Sequence, residues 1–299
     1  MSVAETIPDA EVLTGATREE TTGTRPRRRR REVGLWLALG WMALVVLLAV
    51  LAPVLPLDDP LALDPGAVRQ APRSSHWLGT DNLSRDLLAR LAEGARVSLL
   101  VGFVSAGLAT VVGSLLGLLA GYFRGWRETL IMGWMDIMLA APALLMVIVL
   151  TSFLGPGVRN IILAISVLAV PAFARVARAQ TLAYAEREFV KAARTLGATR
   201  RRIIFREIAP NIAPTIAAYF LVTVSVAIVV EGSLSFLGLG LSRERPTWGG
   251  MINDGRTFLS SSLHISLVPA ATMFLTVLSL NSLGEKLLRH HQGLDRSTR

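Results

Sequence analysis

The chain of 299 residues contains no cysteine, which excludes disulfides, thiolate catalysis and a cysteine-ligated metal centre. The phosphate-cradling pattern G-x-x-x-x-G-K-[ST] is absent, and neither H-E-x-x-H nor G-x-S-x-G occurs. Histidine is scarce: His76, His264 and the adjacent His290 and His291 are too scattered for a convincing metal site. The terminal pair reads as solvated. Aromatic residues are few, at 6%. None interrupts the basic run Thr24–Val33, TRPRRRRREV, so the stacking platform of a single-stranded nucleic-acid binder is missing. Covalent chemistry has no visible seat in this chain.

What is abundant is apolar side chain, 52% of residues with a mean hydropathy of +0.50, gathered in blocks. A membrane-crossing helix needs about 20 consecutive apolar residues, and several blocks reach that length. Six spans are expected, at Val33–Leu55, Val97–Tyr122, Glu128–Leu154, Asn160–Gln180, Asn211–Leu241 and His264–Leu288. The fourth is the shortest clean run and contains Pro171, so a re-entrant segment is its alternative. Gly102, Gly107, Gly113 and Gly117 offer the second span small surfaces for close packing. Pro142, Pro171 and Pro269 each remove a helical hydrogen bond and are expected to kink their helices, as hinges or as packing features.

The formal charge of +9 fits either nucleic acid or arginine retained on the cytoplasmic face. The positions of the arginines favour the second reading. They gather at Arg25–Arg31, at Arg124 and Arg127, through the loop 184–210, and at Arg289. The arginines of Leu57–Arg96 are roughly balanced by acids, whereas Leu241–Leu263, with Arg243, Arg245 and Arg256, fits less well. Both termini are therefore expected inside. Residues 1–32 read as a disordered acidic and Thr-rich tail ending in a basic anchor. A cleaved secretory signal is the alternative, weakened by an over-long apolar run and the spans that follow. Residues 33–96 then hold the first span and an external segment, 97–290 the core membrane domain, and 291–299 a cytoplasmic tail.

The loop 184–210 carries the most pattern. Phe189, Ala193 and Leu196 fall on one helical face, and Arg187, Lys191 and Arg194 on another. Gly197 can stop that helix, Thr199 can cap a second over Arg200–Ala209, and Pro210 can open the fifth span. Ile203 and Ile204 can lean back on the bundle. Such an element reads either as a docking surface for a soluble partner or as a plain arginine-retained loop.

The order Ala192-Ala193, Gly197, Pro210 resembles the EAA loop of ABC-type importer permeases, with Lys191 in place of the glutamate and Ala209 in place of the usual leucine. HWLGTDNLSRDLLARLAEGARVSL at His76–Leu100 resembles the external segment of the C-type permeases of dipeptide, oligopeptide and nickel importers. EGSLSFLGLG at Glu231–Gly240 and PTWGGMI at Pro246–Ile252 resemble the end of their fifth helix and the loop beyond it. The resemblance covers about Leu35 to Arg289. It implies an all-α integral membrane protein, the six-helix transmembrane domain of a type I ABC importer. It also implies a second homologous permease subunit, two cytoplasmic ATPase domains that hold the ATP and Mg, and an extracytoplasmic substrate-binding protein. This chain itself would bind no cofactor, metal or nucleic acid.

On that resemblance the ATPase-docking surface comprises Phe189, Val190, Lys191, Ala192, Ala193, Leu196, Gly197, Arg200 and Pro210. Asp136 and Glu231, ionisable at membrane depth, either line the pathway or hydrogen-bond at a helix or subunit interface. Trp248 and Gly249 either meet the binding protein or cap the bundle. Di- or oligopeptide is the expected cargo, with nickel or another small solute as the alternative. A stand-alone channel or ion-coupled carrier would need inverted repeats and several midplane charges, and no persuasive repeat is visible.

Overall fold

The structure is a computed structural model that describes residues 26–240 and 245–297, with side chains from 33 to 240 and from 245 to 289. The expected tail 1–25, Arg243 and the side chains of Arg27–Arg31, His290 and His291 lie outside the described residues. The chain divides into a short unit, Met1–Gly34, and a compact unit, Leu35–Arg299. Of the first unit, only the opening turns of α1 (Pro26–Leu51) are described.

Among the described residues of the second unit the regular elements are helices, while 52–86 is turns and loop held by an isolated bridge between Thr80 and Asp86. After α1 come α2 (Leu87–Phe123), α3 (Gly125–Leu139), α4 (Ala143–Leu154), α5 (Val158–Ala185) and the short α6 (Glu188–Thr195). Then follow α7 (Arg200–Arg202), a π-helical turn (Ile203–Ile208), α8 (Ala209–Phe236), α9 (Trp248–Gly255) and α10 (His264–Ser297). Among the described residues, five helical runs are long and apolar enough to cross a membrane, and α3 with α4 makes a sixth if the bent pair is one span.

That pair carries the kink expected at Pro142 and makes it a full break in the third span. α3 and α4 meet at 87° across Ala140–Pro142. Pro142 has extended backbone, φ −57° and ψ 127°, supplies no N–H, and disfavours helical geometry in the residue before it. The fourth span, by contrast, is a single helix of 28 residues that runs through Pro171. It runs past the expected boundary at Gln180 to Ala185, and Arg175 and Arg178 within it are held in ion pairs.

Two further boundaries move. α2 begins at Leu87, where Asp86 caps it by accepting the Ala89 N–H at 2.8 Å. The expected break between the loop's second helix and the fifth span is also missing. Arg200–Phe236 is one continuous rod of 37 residues. The π turn explains its continuity: the Ala209 N–H reaches Ile204 O, widening the winding just before Pro210, which has no N–H to offer.

Packing rests on small residues. Gly113, Gly117 and Gly121 form the seam of α2 against α5, where a Cβ on Gly117 would lie 2.3 Å from Ala174 O. Such glycines let backbones approach and gain dispersion contacts that lipid cannot match. Gly102 faces Ile228 on α8, whereas Gly107 has open space and takes no part in packing. Between α1 and α2 the chain folds around buried charges. Arg85 Nε donates to Asp81 at 2.7 Å, and Arg90 lies 3.3 Å from both Asp81 and Asp254. The acids and arginines that nearly cancel in the sequence here are direct partners in space.

Candidate functional site

The loop after α5 is built in layers. Val190 on α6 is fully buried in a cluster with Phe173, Ile203, Ile204 and Ile208, so one face of the loop is fixed to the bundle. α6 ends at Gly197, whose φ of +79° suits glycine. The Gly197 N–H donates to Arg194 O and the Ala198 N–H to Ala193 O, both at 3.0 Å, closing the paired C-terminal cap of a Schellman turn. Thr199 then caps the next helix by accepting the Arg202 N–H at 3.4 Å.

The apolar face expected from Phe189, Ala193 and Leu196 is divided. Ala193 is half-buried, Phe189 is 40% exposed and Leu196 is 87% exposed, and the inward anchor is Val190. Lys191, Ala192, Gly197, Arg200 and Pro210 are also exposed, so the outward surface combines two apolar side chains, small residues and cations. Pro210 stands in the first turn of α8, as expected, although the π turn joins that helix to Arg200 without a break.

Glu231 lies at a joint between helices. It is fully buried, accepting from Ser98 Oγ on α2 at 3.1 Å and from Ser235 Oγ one turn along α8 at 2.7 Å. Ser98 Oγ in turn accepts the backbone N–H of Trp248 at 3.5 Å. Trp248 has no exposed surface, and its indole N–H donates to Leu91 O at 3.3 Å. A Cβ on Gly249 would fall 2.3 Å from Gly232 O, so these backbones touch. Trp248 and Gly249 therefore cap the bundle, and burial leaves them no surface for a binding protein in this conformation.

Asp136 is different: its side chain is 63% exposed and bonded at 2.6 Å to Arg175 on α5, itself 52% exposed. Glu128 pairs with Arg178, and Arg124 with Glu186 at 2.8 Å, so three ion pairs run along the seam between α5 and the α2–α3 region. Arg175 and Arg178 were legible as charges inside an apolar run, but only the acids drew attention from the sequence. Among the described residues, Asp58, His76 and Asp86 bring ligand atoms within 4.8 Å of one another. His76 Nδ1 is already 2.9 Å from Asp86 Oδ2, and Asp86 Oδ1 caps α2, so this group reads as a structural brace.

Residues 113–292 match the family described as binding-protein-dependent transport system inner membrane component. The chain is 37% identical over 234 residues to the glutathione transport system permease protein GsiD of Pectobacterium atrosepticum, covering 78% of each chain. It is 38% identical over 242 residues to the dipeptide transport system permease protein DppC of Alkalihalophilus pseudofirmus, covering 81% of this chain and 80% of that one. An inward-facing structure of the MetNI methionine ABC transporter superposes with a TM-score of 0.55 at 18% identity, over 68% of this chain and 96% of that one, a likeness of fold. An α6 fixed on one face and open on the other, between two long apolar helices, sits within the matched residues. The chain belongs to the family of inner membrane components of binding-protein-dependent transport systems.

Proposed function

We propose that this chain is one of two permease subunits of an ATP-driven importer and forms half of a pathway for di- or oligopeptides. The observation that carries the reading is α6. Its inward face is locked by Val190, while Leu196 and Phe189 stand exposed on a segment flanked by cations. Exposed apolar side chains on a basic rim fit the groove of a soluble partner. Two ATPase domains, holding ATP and Mg, would dock there and move α6. A short capped turn through Gly197 and Thr199 joins α6 to the continuous rod Arg200–Phe236, so displacement of α6 passes into a membrane helix. Closure of the ATPases then shifts the population between inward- and outward-open pathways.

The chain makes no covalent bond in this scheme. It sits in the inner membrane with both termini cytoplasmic, as the arginine distribution supports. An extracytoplasmic binding protein would deliver the cargo. Similarity to glutathione and dipeptide permeases supports a peptide over nickel.

The test is co-purification in mild detergent followed by reconstitution. Recovery with two ATPase domains and a second permease, and ATP-dependent uptake of a dipeptide into vesicles, is expected. A stable complex of this chain alone would overturn the reading.

A further inference from the structure

Asp136 and Arg175 occupy a depth where exposed charge is costly. At about 1.5 Å per residue, Arg175 stands roughly 8 Å inside the expected end of its span at Gln180, and Asp136 roughly 12 Å inside the expected start of its span at Glu128. Both fall in the inner half of a hydrocarbon core about 30 Å thick. Charges at such depth face water or protein, since lipid contact is expensive.

A second observation marks the same surface. The α3–α4 break lies within a turn of Asp136, and Ala140 and Pro142 in that break are exposed. Non-helical backbone at membrane depth leaves peptide groups without partners, which is tolerated only inside protein or beside a water-filled cavity. The broken helix and the open ion pair thus require the same surroundings. The neighbouring pair, Glu128 with Arg178, is less exposed, at 20% and 37%. It ties the seam together, whereas Asp136 and Arg175 present their charged ends outward.

We propose that Asp136 and Arg175 line the translocation pathway and receive a zwitterionic solute by exchanging ion-pair partners, its ammonium turning to Asp136 and its carboxylate to Arg175. The exchange replaces one neutral pair by two neutral pairs and leaves no unmatched charge at depth. A solute with a single charge would strand one of the two side chains, which is unfavourable in a poorly solvated site. The assignment to a zwitterion rests on the peptide-importer reading above; the placement of the pair on the pathway rests on its exposure and on the broken helix beside it.

Because this chain has no cysteine of its own, any label recovered on it reports the introduced residue. In the assembled transporter in vesicles, Asp136→Cys and Ala140→Cys are treated with a membrane-impermeant, charged thiol reagent, with and without excess Ala-Ala. Ala140→Cys keeps the ion pair intact and reads the same surface if the first variant fails to assemble. Reaction at either position, slowed about tenfold by dipeptide at about ten times its Kd, is expected from site occupancy. No reaction at either position overturns the pathway assignment whatever the cargo, and points to lipid or to burial against the second permease. Reaction that dipeptide leaves unchanged overturns the solute contact. If the wild-type complex takes up no dipeptide, the peptide reading fails and the zwitterion assignment falls with it, while labelling still reports separately on the pathway.

Discussion

Glu231 on α8 is joined to Ser98 on α2 by a 3.1 Å hydrogen bond, and Ser98 receives the Trp248 backbone N–H on its other side. One serine thus couples a buried carboxylate to the start of α9. Glu231→Leu should strip the partner from both Ser98 and Ser235, each loss costing about 1–3 kcal/mol. Glu231→Gln keeps an acceptor and should be milder. Thermal unfolding in detergent checks the order; equal Tm values for the two variants would show that the joint carries no stability.

The glycines divide into those that must stay and those, such as Gly107, that need not. Gly117→Val and Gly249→Val place a Cβ 2.3 Å from a backbone oxygen and should prevent a monodisperse product. Gly107→Ala meets open space and should gain slightly, because alanine is favoured over glycine in a helix by about 0.8–1 kcal/mol. Size-exclusion profiles of the three variants are the measurement, and an aggregated Gly107→Ala would contradict the packing.

Arg90 is buried between Asp81 and Asp254, and Arg85 shares both carboxylates. Arg90→Met should destabilise by about 3–5 kcal/mol, the usual result of removing one member of a buried charge network. Arg90→Lys retains the charge without the planar fork and should fall between. Chemical or thermal unfolding of the purified chain reads both.

At the docking loop, Gly197→Val forces a β-branched residue to φ near +79°, a strain of about 1–2 kcal/mol. The position is open, so no clash adds to it. Uptake should fall while ATP hydrolysis persists and the chain stays in the membrane. Leu196→Glu removes an exposed apolar contact and should weaken ATPase capture with no change in Tm. Lys191→Glu should leave uptake intact; loss of assembly would mean that the basic face makes the contact.

The spans were legible because hydropathy and arginine placement survive folding. Their ends were less so, for identifiable reasons. Hydropathy stops at charges, yet Arg90 lies within α2, ahead of the expected start at Val97, because Asp254 answers it from another element. Pro142 and Pro171 look alike in sequence, but the first separates two helices and the second lies buried within one. The docking loop's glycine stop and threonine cap were readable from local chemistry alone. Burial of Trp248 was not, since it depends on Leu91 and Ser98, far away along the chain.

The π turn at Ile203–Ile208 sets an angular phase. Unwinding its extra residue into regular α-helix would turn everything before it by about 100° around the rod axis. Val190 would then leave its pocket, and Leu196 would point to another quarter of the compass. Deleting one residue from this turn should therefore be tolerated better than deleting one from the regular part of α8, because the first removes the extra residue and keeps the loop's aim while the second turns the loop by about 100°.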